Sequence, residues 1–228
     1  MRQRLGPVAG LLALAAAAPV QAADVSAELG LVSDYRFRGL SLSDGKPALQ
    51  LDIMLEHDNG AYAELWASSI GEAGAHPMLE LEAAAGYSLD VTKHVSLDVA
   101  GTYYIYPGDP DANYGELAAT LEFAHGASTL ALGAAFAPAQ QGTRSAFGEA
   151  EQNLYLSATA SRELTNAPVI LNLSLGYERG AFDETSDGGK WDWSAGADLA
   201  LDHARIGLSY CGSNAGDDAL VAALHLML

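Results

Sequence analysis

Cysteine is all but missing: Cys211 is the only one in 228 residues, which excludes an internal disulfide framework and any C-x-x-C redox or zinc pair. Basic side chains are scarce too, with 11 Lys+Arg against 29 Asp+Glu, and a formal charge of -18 excludes nucleic acid as a partner. Charged residues of all kinds reach only 18% in a chain that is half apolar, so the composition is not that of a disordered protein. There is no Gly-x-Ser-x-Gly and no His-Glu-x-x-His. The run Asp109-Pro110-Asp111-Ala112-Asn113 begins like a calcium loop, but Tyr114 stands where that loop needs glycine and Thr120 where it needs a bidentate glutamate. The sequence therefore predicts no catalytic residue, no cofactor and no metal.

Long hydrophobic runs are confined to the start. Met1-Arg2-Gln3-Arg4 is a positive n-region, Leu5 to Pro19 is an apolar h-region, and Val20-Gln21-Ala22 supplies small side chains for cleavage. Residues 1-22 read as a secretory signal peptide, too short for the ~20-residue span of a membrane helix. Its removal takes two arginines and leaves nine basic residues against 29 acidic ones in a mature chain of residues 23-228.

That mature chain alternates. Val25, Ala27, Leu29 and Leu31 interleave with Ser26, Glu28 and Gly30, and Leu49, Leu51, Ile53 and Leu55 interleave with Gln50, Asp52 and Glu56. Period-two segments recur at about 61-70, 78-88, 95-106, 114-123, 128-137, 153-160, 169-178, 191-201, 204-211 and 219-228, making twelve strands. Connection lengths alternate as well. Loops at 40-46, 71-77, 107-113, 138-152, 179-190 and 212-218 are separated by short links such as His57-Asp58-Asn59-Gly60 and Asp202-His203.

Up-and-down strands with long loops at one end and tight turns at the other predict an all-β fold, a transmembrane antiparallel β-barrel of the bacterial outer membrane. In hydrocarbon an open sheet edge leaves backbone groups unsatisfied, so the strands must close. A secreted sandwich would fill its core with large residues, whereas the apolar face here is mostly Ala, Gly and Leu. Tyr35 and Phe37 near the end of the first strand, Tyr87 and Tyr103 share the apolar parity and are expected to form interface girdles.

The stretch Ser33-Asp34-Tyr35-Arg36-Phe37-Arg38-Gly39-Leu40-Ser41-Leu42-Ser43-Asp44, continuing through Pro47-Ala48, resembles the opening of the TorF-type porins, a family of Gram-negative outer-membrane proteins. Gly60-Ala61-Tyr62-Ala63 with Trp66 and Ser68 resembles the same family's third strand. The resemblance implies an outer-membrane barrel of porin type and no particular substrate. Leu228 departs from the terminal aromatic usual in such barrels.

Parity then places the charges. If Leu29 and Leu31 face lipid, Glu28, Asp34, Arg36 and Arg38 face the lumen, together with Asp52, Glu56, Glu64, Glu80, Glu82, Asp98, Glu116, Glu122, Glu178, Asp192 and Asp198. Arg205 joins them as a third base. An open pore so lined concentrates cations. Twelve strands lie between the filled eight-stranded barrel and the wide porins, so the expected channel is narrow. Arg36 and Arg38 are placed at the extracellular end, as a constriction facing carboxylates or as contacts for an anionic group. The expected function is passive passage of small solutes or ions.

The alternative is a closed structural barrel whose loops bind partners or lipopolysaccharide, with 138-152 the longest candidate plug. Outer-membrane lipid and lipopolysaccharide are the expected surroundings, and Asp183, Glu184 and Asp187 could meet divalent cations that bridge them. The pair His94 and Ser96 matches a two-residue spacing of outer-membrane phospholipases but sits at a turn. Oligomeric state stays open. Converting Glu80 and Glu82 to Gln is expected to weaken cation preference, read as a reversal potential in a planar bilayer; an unchanged potential would count against the lumen parity.

Overall fold

The structure, a computed structural model, describes residues 23-71, 79-144, 148-185 and 188-228. The signal-peptide residues 1-22 and the loop residue Asp187 lie outside them. Fourteen strands are present among the described residues: β1 (Ala23–Val32), β2 (Arg36–Phe37), β3 (Leu40–Ser41), β4 (Ala48–His57), β5 (Ala61–Ser69), β6 (Leu79–Thr92) and β7 (Val95–Ile105) come first. After them follow β8 (Tyr114–His125), β9 (Ser128–Ala137), β10 (Asn153–Glu163), β11 (Val169–Gly180), β12 (Lys190–Ala200), β13 (Ala204–Ser213) and β14 (Gly216–Met227). Twelve of them form one closed antiparallel barrel in sequence order, from β1 through β4 and round to β14, while β2 and β3 pair only with each other.

Closure is a backbone requirement met at one seam. Glu28 to Val32 pair with Met227 to Ala223, and β1 pairs along its whole length with β4, from Ala23 with His57 to Val32 with Ala48. The offset between these ladders is the stagger that tilted barrel strands need. Leu228 donates its backbone N–H to Ala27 O at 2.9 Å, extending the seam by one bond.

Register partners share a face, so the ladders sort every side chain. Leu51 pairs with Leu29 and Ala67, and Leu173 pairs with Ala160 and Ala195. These face outward: Leu65 and Leu173 are each 59% exposed in a chain with no polar partner for them. A barrel whose exposed belt is leucine has lipid as its outer solvent. On that face Tyr87 is exposed at a strand middle and Tyr103 is half-buried.

Two sequence-based expectations fail here. Tyr35 and Phe37 are not girdle residues, because β1 stops at Val32 and both rings turn into the barrel; Tyr35 is 6% exposed. The first loop also starts earlier than 40-46, since residues 33-47 form a hairpin that folds inward. Elsewhere strand ends shift by a few residues. β6 runs on to Thr92 through a bulge near Asp90, and β14 begins at Gly216.

Placing a cation on the outer belt tests the facing. Leu173→Arg, close to the middle of β11, is expected to cost about 2–4 kcal/mol in a bilayer denaturation series. An unchanged unfolding midpoint would contradict the assignment of that face to lipid.

Candidate functional site

The lumen has two different halves. At the loop end every one of the twelve barrel strands contributes an inner-face residue less than a tenth exposed, among them Val32, Ala48, Glu80, Tyr104, Glu178 and Ser213. At the turn end the inner-face residues are only half-buried, including Glu28, Asp52, Glu64, Asp98, Glu122 and Asp198. The inner face is therefore open to solvent toward the turn end and buried in a sealing layer toward the loop end.

The seal is the hairpin β2–β3. Phe37 pairs with Leu40 and Arg36 with Ser41, so Arg38-Gly39 is a two-residue turn. Both turn residues have positive φ, +48° for Arg38 and +81° for Gly39, as a tight hairpin matched to strand twist requires. Only glycine fits at 39: a Cβ there would lie 2.6 Å from Gly212 O and 2.7 Å from Asp192 Cβ. The base of the hairpin is tied by Leu42 N–H to Tyr35 O at 2.8 Å and by Gly71 N–H to Leu42 O at 2.7 Å.

Each side chain of the hairpin finds a different part of the wall. Tyr35 packs on Trp66 of β5, ring centroids 5.3 Å apart. Phe37 meets Tyr104 of β7 edge-on at 6.0 Å, and Tyr104 stacks on Tyr114 of β8 at 4.2 Å. Asp34 accepts hydrogen bonds from Ser41 Oγ at 2.5 Å, Ser43 Oγ at 3.0 Å and Arg36 Nε at 2.6 Å. Burial alone would push the Asp34 carboxyl up, but the bonds from Ser41, Arg36 and Ser43 and the Arg36 charge bring it below the ordinary aspartate value. The hairpin accordingly has this support at neutral pH and loses it as pH falls through the depressed value.

Arg38 crosses the lumen. Its Nη2 donates to Glu116 Oε1 on β8 and its Nη1 to Glu178 Oε1 on β11, both at 2.6 Å. Around the barrel, β8 lies five strands from β1 in one direction and β11 four strands in the other, so the guanidinium reaches the far wall. Side-chain exposure is 2% for Arg38 and 0% for both glutamates. The Tyr155 ring lies 4.3 Å from the guanidinium carbon and the Phe37 ring 4.7 Å. Asn153 Nδ2 also donates to Glu178 Oε1 at 2.9 Å, and Lys190 Nζ approaches Glu178 Oε2 at 2.6 Å. Holding a non-glycine residue in left-handed backbone costs roughly 1–2 kcal/mol. Breaking a buried ion pair by removing one partner costs about 3–5 kcal/mol, so the clamp outweighs the strain.

The residues expected to line a constriction divide between the two halves. Asp34, Arg36, Arg38, Glu80 and Glu116 lie in or against the seal; Arg36 binds Asp34 and donates to the backbone oxygens of Gly39 and Asp217 rather than facing an open bore. Tyr106 donates to Glu80 Oε1 at 2.6 Å. Glu28, Asp52, Glu64 and Asp98 line the vestibule below, and Glu82, paired with Trp66 and Tyr104, sits at the boundary. Glu28 is met by Arg205 Nη2 at 3.2 Å and His225 Nδ1 at 2.7 Å. A recess of about 110 Å³ among Glu122, Ser161, Asn172, Asp198 and Arg205 opens in this vestibule.

Sequence reasoning missed Asn153, Tyr155 and Lys190, and it looked for the plug in 138-152. Among the described residues of that loop, Gln140 instead lies across the end of β8, accepting from Gly115 N–H and donating to Gly115 O at 2.8 and 2.7 Å. The signal for the inward-folded hairpin is Phe37-Arg38-Gly39-Leu40, where glycine second in a two-residue turn between apolar residues marks a hairpin. His94, near Ser96 in sequence, faces His125 across a turn, ring centroids 6.5 Å apart.

The bacterial family described as "Bacterial protein of unknown function (Gcw_chp)" matches residues 16–226. No curated protein matches the chain. Among solved structures, the KdgM porin superposes with a TM-score of 0.59 at 9% identity, covering 89% of this chain and 97% of its own. It has also been solved in complex with disordered oligogalacturonate. The NanC porin gives 0.59 at 7% identity over 90% and 98% of the two chains. The COG4313 outer membrane channel from Pseudomonas putida F1 gives 0.51 at 13% identity over 93% and 98%. At these identities the likeness is one of fold.

Replacing the clamp's cation should free the hairpin. Arg38→Ala is expected to make trypsin cut after Arg36 many-fold faster in the folded barrel, following the loss of about 3–5 kcal/mol of docking. Resistance equal to that of the wild type would contradict the clamp.

Proposed function

We propose, for a chain that belongs to the Gcw_chp family of bacterial proteins, the role of an outer-membrane channel for small solutes, closed at its extracellular end by its own first hairpin. The observation that carries this reading is the division of the lumen into a water-accessible vestibule and a sealed layer made by a segment outside the barrel ladder. The loop end is outside and the turn end periplasmic, as in barrels inserted with short turns toward the periplasm, and residues 1-22 are the signal peptide removed on export. The hairpin sequence is also the part that resembles the TorF-type porins.

Charge favours cations. The vestibule carries Glu28, Asp52, Glu64, Asp98, Glu122 and Asp198 against Arg205 and His225, and a low-dielectric tube of one sign raises the local concentration of the other. Oligogalacturonate, bound by the KdgM porin, is a polyanion. The acidic vestibule of this chain supports a solute of opposite charge.

The buried layer at the loop end favours a second reading, a structural barrel that never conducts and presents its loops to lipopolysaccharide or partners. Deleting Arg36–Ser41 separates the two, since it removes no barrel pairing. In planar bilayers under a KCl gradient the wild type is expected to open rarely and in small steps, the deletion variant often, both with a cation-sided reversal potential. Asp52→Asn with Glu64→Gln should move that potential toward zero. Anion preference would refute the charge argument, and a folded deletion variant that passes no current would establish the structural barrel.

A further inference from the structure

Remove the hairpin in thought and the wall that remains is a finished receptor for a planar cation. Glu116, Tyr155 and Glu178 belong to β8, β10 and β11, whereas Arg38 comes from a hairpin that shares no ladder with them. We propose that these three side chains form a binding site for solutes bearing a guanidinium group, and that Arg38 occupies it as an internal substitute when the barrel is closed. This deepens the channel reading by naming a solute class, and it rests on that reading only for the consequence that such a solute opens the pore.

Three observations select the ligand. The first is geometry: two carboxylate oxygens sit 2.6 Å from two different terminal nitrogens of one guanidinium, while an aromatic ring lies 4.3 Å from its carbon. A flat, forked donor meets such a set; an ammonium, a compact point charge, satisfies it less well. The second is charge. Lys190 lies against one of the two buried carboxylates, so departure of Arg38 leaves Glu116 without a cation in a site with 0% side-chain exposure, and a solute cation or a proton must restore the balance. The third is rigidity. Asn153 holds Glu178 Oε1 at 2.9 Å independently of Arg38, so that acceptor is positioned before any solute arrives. Among the described residues no group of three or more His, Cys, Asp or Glu side chains is arranged to hold a metal ion, and the donor set suits an organic cation.

Competition then gives a gate operated by its own cargo. A solute guanidinium that takes Glu116 and Glu178 displaces Arg38 and releases the hairpin, and the path below it is acidic. Tyr35 on Trp66 and Phe37 on Tyr104 return the hairpin when the solute has left.

Isothermal titration of the folded, detergent-solubilised protein with ethylguanidinium tests the site without reference to conduction. Arg38→Ala is expected to bind it more than about tenfold tighter than the wild type or Arg38→Ala/Glu116→Gln, as charged hydrogen bonds of this kind require. Tetramethylammonium, with the same charge and no N–H donors, should bind Arg38→Ala more than about tenfold more weakly. Equal ethylguanidinium affinity in all three proteins, or equal affinity for the two cations, would overturn the proposal. Should Arg38→Ala fail to refold, deletion of Arg36–Ser41 empties the same site with the barrel ladder intact, and the same comparisons decide. Selective binding in a protein that never conducts sustains the site and overturns the channel; conduction with no selective binding does the reverse.

Discussion

One guanidinium, shared between Glu116 and Glu178, holds the hairpin inside the barrel. It joins a hairpin that follows β1 to the two strands on the opposite side of the barrel, and both carboxylates are fully buried. A carboxylate taken out of water without a partner is among the costliest groups a fold can contain. The clamp thus works in both directions: Arg38 keeps the glutamates tolerable, and the glutamates keep Arg38 in a backbone conformation that arginine ordinarily avoids. Gly39 completes the turn because nothing larger fits between Gly212 and Asp192.

Around that clamp the barrel supplies two surfaces of opposite character. Outside, the ladders present leucines and alanines to lipid; inside, the same ladders present carboxylates, hydroxyls and tyrosines. Closure follows from the absence of water in hydrocarbon, since a strand edge there has no partner other than another strand. The polar interior follows from closure, because alternation along each strand leaves the second face enclosed. Filling is then a local matter. Rings and the hairpin occupy the loop end, while smaller residues such as Ser88, Thr129 and Ser161 leave the turn end only half-buried.

Most of this architecture is legible in the sequence, and the reason is physical. A leucine or isoleucine at every second position has one explanation in a strand, so β4 and β11 can be read almost to the residue. The same parity gives the face of Glu116 and Glu178, which lie on different strands far apart in the chain and are joined by Arg38 of the hairpin. That hairpin was hidden by its own pattern. Tyr35 and Phe37 continue the alternation of β1 beyond Val32, so period two alone extends the strand and assigns both rings to the membrane surface. Length misled in a similar way, since 138-152 is the longest connection but its Gln140 is bound to the rim at Gly115. Arg38-Gly39 was the deciding signal, a turn chemistry carried by two residues inside an apparently regular strand. Lys190 escaped notice because it stands one position before the expected start of its strand.

Hydrogen–deuterium exchange of the folded wild-type barrel, followed on the peptide covering residues 34-46, tests the central claim most directly. A hairpin clamped in the lumen predicts that the amides closing the turn, and Leu42 bonded to Tyr35, exchange as slowly as those of neighbouring barrel strands, and that Glu116→Gln with Glu178→Gln brings them to loop rates. Exchange of the wild-type hairpin at the rate of an open loop would contradict the account.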